Sequence, residues 1–283
     1  MISALRKFPI SGAGLVGLCI LLLLCLTALM APLLNLPSPV RGDLMMRMVP
    51  PTWQGPFSPG PHPLGTDPLG RDILSRIIYG ARITLTISLL AVLVGALVGV
   101  TLGIIAGFSG GLVDSVLMRI ADMQLAIPLV LFALLVIAVM GPSITTLVIV
   151  LGLTGWTRYA RIVRGQVLAL RDREFVLAAR AAGASSARIM FRHILPNVAT
   201  PVLVVGTLEL ARVIIMDAAL SFLGLGVQPP TPSWGRMLAD GRSYISAAWW
   251  VVTFPGLAIA LTVLGVNLLG DWLRDFFDPK LQK

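Results

Sequence analysis

The residues best placed for chemistry are Glu209, Arg212 and Asp217, which interrupt an otherwise apolar stretch at 197–222. An ion in such a stretch faces a polar cavity or another ion, because hydrocarbon solvates neither charge. Glu209 and Arg212 lie three apart, so a helix puts them on one face, where carboxylate and guanidinium can pair. Two readings of the pair stand side by side: a buried bridge that fixes helix packing, and the polar lining of a passage. Asp217 is a further candidate for that lining. Other chemistries find less material. The two histidines, His62 and His193, fall on opposite sides of a membrane in the topology derived below, so they form no common metal site. Cys19 and Cys25 lie six apart in one apolar run and cannot bridge. No HExxH occurs, and none of Lys7, Lys280 and Lys283 stands in a GxxxxGK[ST] loop. The expectation is therefore no catalytic residue, no metal and no cofactor.

The elements that position these groups must be membrane helices. The 283 residues are 57% hydrophobic and 12% charged, whereas a soluble domain carries about 25% charge. The net charge of +9 does not mark a nucleic-acid binder, because the arginines sit in short segments between apolar runs rather than on one basic face. A span needs about 20 apolar residues. Uncharged stretches at 8–40, 83–113, 123–157 and 243–270, together with 197–222, supply six, because Gly141-Pro142-Ser143 divides the third. The spans fall near 12–34, 83–108, 120–140, 143–162, 197–222 and 243–270, giving an all-α polytopic membrane helix bundle with about six transmembrane helices. The first is longer than the apolar core of a signal peptide and reads as a retained helix. Arg158, Arg161, Arg164, Arg171, Arg173, Arg180, Arg188 and Arg192 make segment 158–192 cytoplasmic. Both termini then lie inside, with 35–82 and 223–248 outside. Asp114, Arg119 and Asp122 read as interfacial anchors at an inner turn, and Trp234, Trp249 and Trp250 as an outer aromatic belt.

Gly95, Gly99, Gly103 and Gly107 recur every four residues in the second span and predict a smooth seam for another backbone. Thr66-Asp67-Pro68 reads as the start of a helix. Residues 171–186 hold too many arginines for lipid, yet Phe175 to Ala182 favours helix, Glu174 suits its N-terminus and Gly183 its left-handed stop. Ser185 or Ser186 then caps a second helix from Ala187 to Leu195, ended by Pro196-Asn197. The first of these helices presents small side chains, which allow close docking on another protein.

This segment resembles the cytoplasmic "EAA" loop of ABC-importer permeases, from Phe175-Val176-Leu177-Ala178-Ala179-Arg180-Ala181-Ala182-Gly183 to Ile194-Leu195-Pro196-Asn197. Leu177 stands where that family usually has glutamate, and Asp217 where it more often has glutamate. Three further segments resemble the second, C-type permease of dipeptide, oligopeptide and nickel importers: His62 to Asp72, Ser221 to Pro230 with Ser233-Trp234-Gly235, and Asn267 to Asp271 with Asp278-Pro279. The resemblance implies the type I permease fold, with ATPase-coupling residues Glu174, Phe175, Leu177, Ala178, Ala179, Arg180, Gly183, Ile194 and Pro196. It also implies two ATP-binding subunits, a homologous second permease, an extracytoplasmic substrate-binding protein and a place in the bacterial inner membrane. The expected organisation is an N-terminal tail and first span at 1–35, an extracytoplasmic loop at 36–81, and a core at 82–283 with coupling loop 164–196. Peptides are the expected cargo, with nickel or another small solute as the alternative. An ATP-independent transporter would leave the alanine–glycine loop unexplained.

Overall fold

The computed structural model describes residues 11–54 and 62–277, which form helices and turns with no β-strand. The basic residues expected at the two ends, Arg6, Lys7, Lys280 and Lys283, and the Asp278-Pro279 motif lie outside the described residues. The principal helices are α1 (Gly12–Met30), α2 (Ile73–Ser109), α3 (Gly111–Ala126), α4 (Leu129–Met140), α5 (Ile144–Leu170), α6 (Glu174–Ala181), α7 (Ser186–Ile189), α8 (Leu195–Phe222), α9 (Trp234–Gly241) and α10 (Trp250–Phe277).

Four helical segments are long and apolar enough to cross a bilayer alone: 12–33, 73–109, 186–222 and 250–277. The other two expected spans are less simple. Residues 120–140 are not one rod, because Ile127 is extended before Pro128 and the axes of α3 and α4 meet at 93°. Proline disfavours the helical conformation of the residue before it, which places the break there. Helix α5 is apolar only in its first half, and its second half carries Arg158, Arg161 and Arg164. These arginines are helical and paired, so the connector expected from 158 starts only after Leu170.

Helix α2, with 37 residues, is about 55 Å long against a hydrocarbon thickness of about 30 Å. Its start lies nine residues before the expected core boundary at 82, so it takes in the end of the loop expected at 36–81. Asp72, not Thr66, caps it, accepting from Ser75 N at 2.7 Å. Asp67 instead closes a turn, accepting from the amides of Leu69 and Arg71 at 2.8 and 3.0 Å. A proline at 68 in that turn satisfies the same local pattern as one at a helix start, which is why the sequence misleads here.

The glycine row of α2 lies along α5. A β-carbon at Gly95 would stand 3.0 Å from Gly152 O, one at Gly103 2.6 Å from Ala160 O, and one at Gly107 3.0 Å from Arg164 O; Gly99 faces Trp156 O. Carbonyls at 152, 156, 160 and 164 thus meet glycines at 95, 99, 103 and 107, one turn at a time. Backbone cannot retreat as a flexible side chain can, so overpacking here costs more than the usual 1–3 kcal/mol, or about 3 kcal/mol and above. Gly99→Leu is expected to remove most folded protein from detergent extracts while Gly165→Ala, on an open face of α5, does not. Fluorescence size-exclusion chromatography checks both, and equal yields would contradict the seam.

Helix α1 packs on α10 through two further glycines: Gly14 faces Trp272, and Gly17 faces Gly265 O and Leu269 N. Outside the bundle, the run from His62 to Asp72 is a knot of hydrogen bonds. His62 Nδ1 and Asp72 Oδ1 are 3.0 Å apart, Asp67 bridges Arg71 and Arg76 at 2.6 and 3.0 Å, and Asp240 on α9 approaches both arginines at 3.5 and 3.6 Å. Trp250 donates to Thr66 O and Trp234 to Ile77 O, and both rings are buried. These two tryptophans therefore lock the outer loop and α9 onto α2 rather than facing the lipid interface; Trp249 remains more exposed.

Candidate functional site: a docking helix and a buried ion cluster

Helix α6 begins at Glu174 and ends in the left-handed turn expected at Gly183, whose φ is +79°. Ala184 N donates to Ala179 O at 3.0 Å and Gly183 N to Arg180 O at 3.0 Å, a closure that satisfies carbonyls the helix leaves open. Ser185 caps the next helix, accepting from Arg188 N. That helix does not stop at Pro196. Residues 190–194 adopt a π-turn, and α8 continues to Phe222. The wider turn lets the chain pass a residue without an amide hydrogen, at a position in the first turn of α8 where that donor is not needed.

The sides of α6 differ sharply. Val176 is fully buried against Ile104 of α2, Val163 and Val167 of α5, and Ile189, Ile194 and Val198. Phe175 and Leu177 flank it at 42% and 47% exposure, and Phe191 on the π-turn is 70% exposed. Glu174, Ala178, Arg180, Gly183 and Pro196 are exposed, and Ala179 is half-buried. The guanidinium of Arg180 also sits over the Phe108 ring, 5.8 Å from its centroid, at the end of α2. Ile194 differs from the expectation for a contact residue: it is fully buried, so it holds the loop in place rather than touching a partner. Helix α6 is thus anchored through Val176 and exposed over most of its remaining face.

The second assembly lies within the bundle. Glu209 is 2% exposed and near the middle of α8, about 20 Å from either end. Its Oε2 accepts from Arg212 Nε at 2.7 Å, as the three-residue spacing allows, and its Oε1 accepts from Arg158 of α5 at 2.7 Å. Sequence reasoning placed Arg158 in the cytoplasmic connector and missed this partner. One signal was available: Arg158, Arg161 and Arg164 recur every three residues, a helical spacing that continues α5. Arg161 pairs with Asp122, and Arg164 grips Asp114 through two bonds of 2.5 and 2.6 Å. Trp156 and Gln124 pair on the same side. Asp114 and Asp122 thus fasten α3 to α5, a stronger role than the interfacial anchoring expected of them.

Asp217 stands apart from the cluster. It is fully buried, and neither carboxylate oxygen has a hydrogen-bond partner. Ser221, one turn on, is buried beneath Gly226 and Gly235, where a β-carbon would overlap it. Asp217 therefore lines no surface of this chain, in contrast to the expectation for a pathway residue. Among the described residues, no cluster of His, Cys, Asp and Glu could hold a metal ion.

Residues 99–283 match the family described as the binding-protein-dependent transport system inner membrane component. The chain is 42% identical to the dipeptide transport system permease protein DppC of Alkalihalophilus pseudofirmus over 99% of its own length and 90% of the relative's. It is 43% identical to the di/tripeptide transport system permease protein DppC of Pseudomonas aeruginosa, with 98% and 91% covered. It is 45% identical to the dipeptide transport system permease protein DppC of Escherichia coli, with 98% and 92% covered. With a bundle of apolar helices, an exposed short helix between α5 and α8 and matches of that extent, the chain belongs to the family of inner-membrane components of binding-protein-dependent transport systems, the permeases of ABC importers.

Proposed function

We propose that this chain is one of two homologous permeases in a bacterial inner-membrane importer of di- and oligopeptides. Two ATP-binding subunits and an extracytoplasmic binding protein complete the assembly, and both termini of the chain are cytoplasmic. The observation that carries this reading is α6, an exposed helix with small and apolar side chains whose one buried residue joins it to α2, α5 and α8. Closure of the ATPase pair would push α6, and the Val176 cluster would pass that displacement to α5 and α8 as rigid bodies. Both helices contribute to the Arg158–Glu209 bond, so their relative movement opens and closes the middle of the bundle. Such coupling needs an element with two arrangements that both nucleotide and cargo bias. The dipeptide and di/tripeptide transport named for the relatives supports peptides as cargo.

Reconstitution of the whole importer in proteoliposomes tests this reading. Radiolabelled dipeptide is expected to accumulate only with ATP, ATPase subunits and binding protein all present. Uptake of nickel without peptide would replace the cargo, and uptake without any ATPase would defeat the proposal.

A further inference from the structure

The charges where α5 crosses α8 do not balance. Arg158 and Arg212 share the single carboxylate of Glu209. Among the described residues, the other acids paired with α5, Asp114 and Asp122, are taken by Arg164 and Arg161, and Asp217, two turns on in α8, accepts no hydrogen bond. The two guanidiniums at this crossing thus share one carboxylate, which leaves an excess of one positive charge there. Two buried polar groups beside it also lack a partner: Nη2 of Arg212 and the hydroxyl of Tyr159, a residue only 1% exposed. Two glycines face these groups, and each leaves room for about one carbon atom beside them. A β-carbon on Gly155 would stand 3.5 Å from both Arg212 Nη2 and Glu209 Oε2, and one on Gly206 would stand 3.6 Å from the Tyr159 hydroxyl. The side chain of Arg158 is 54% exposed, and a guanidinium on a membrane-spanning bundle faces water or protein rather than lipid.

Unmatched guanidinium and phenol donors around an already shared acceptor suit an anion with two oxygens in one plane, because arginine binds carboxylates in a two-pronged fork. Resting on the peptide-import reading, we propose that Arg158 and Arg212, with the Tyr159 hydroxyl, form a transient site for the C-terminal carboxylate of a peptide in transit. The incoming carboxylate takes the unused donors and competes with Glu209 for Arg158, which loosens the bond between α5 and α8. No covalent step is involved. The site is weak by construction, since Glu209 stays in place to displace the cargo again.

The test uses the complete importer in proteoliposomes with three peptides: Ala-Phe-Ala with a free carboxylate, its C-terminal amide, and Ala-Asp-Ala amide. Arg158→Gln is expected to lower the ratio of free-acid to amide uptake at least tenfold, and Arg158→Lys, which keeps the charge but loses the fork, to recover only part of it. A second measurement does not involve the binding protein. Nanodisc-embedded importer is photolabelled with a benzophenone-bearing tripeptide acid. Labelling is expected within 144–170 or 195–222, competed by the free acid but not by the amide, and reduced at least fivefold by Arg158→Gln. Equal loss of acid and amide uptake would overturn the proposal in favour of a purely structural bridge. Labelling that ignores the variant would overturn it as well. Ala-Asp-Ala amide behaving like the free acid would overturn the C-terminal assignment. Failure of the wild-type importer to move any peptide would instead strike the underlying cargo reading.

Discussion

Phe175→Asp combined with Leu177→Asp should abolish uptake, by at least twentyfold, while leaving the permease folded. Both side chains are roughly half-exposed on α6 and stand outside the cluster around Val176. Turning them acidic removes apolar area that a partner would cover and places desolvated charge in its groove, where an unpaired ion costs several kcal/mol, or about 3–5. The ATPase subunits should no longer co-purify, and the unfolding temperature of the isolated permease should stay within about 2 °C of wild type, since exposed substitutions rarely exceed about 0.5 kcal/mol. Val176→Asp, on the adjacent residue, reverses the pattern. It buries a carboxylate among Ile104, Val163, Val167 and Val198 with no partner, so folded yield falls first. Equal behaviour of the two variants would contradict a helix with one anchored and one docking side.

Glu209→Gln should be the most damaging single change inside the bundle. It removes the acceptor between two guanidiniums, one of them only 18% exposed. Breaking a buried pair by removing one member costs about 3–5 kcal/mol, because the charge left behind has no water to return to. For a chain of this size that corresponds to a drop of roughly 10 °C in unfolding temperature. The double variant Glu209→Gln with Arg212→Leu should recover at least half of that loss, since it leaves no buried unpaired ion. A single variant as stable as wild type, or a double variant worse than the single one, would show that the cluster contributes nothing to the bundle.

The parts of the architecture legible in the sequence were those set by local chemistry. Gly183 announces a left-handed helix stop because few other residues adopt positive φ cheaply, and the four-residue glycine row announces a seam because helical geometry alone aligns it. The Glu209–Arg212 bond follows from spacing in the same way. What escaped was whatever depends on distant segments. Arg158 reads as a topology signal until α8 brings Glu209 beside it, and Asp114 and Asp122 read as surface anchors until α5 supplies their arginines. Trp234 and Trp250 read as belt residues because amphipathic rings favour interfaces, yet their N–H groups find carbonyls 157 and 184 residues away. Pro196 reads as a helix stop because the pattern does not reveal the π-turn that accommodates it.

The proposed transmission of force through α6 is tested most directly by a crosslink. In a variant with Cys19 and Cys25 replaced by serine, Ala181→Cys places one thiol on the exposed end of α6. In inside-out vesicles carrying the assembled importer, a short bifunctional thiol reagent should join this residue to an ATPase subunit bearing a cysteine in its docking groove. Reducing the bond should restore the uptake that the crosslink arrests. An α6 thiol that reacts only with reagent on the opposite face of the membrane, or a crosslinked importer that transports at the full rate, would contradict the account.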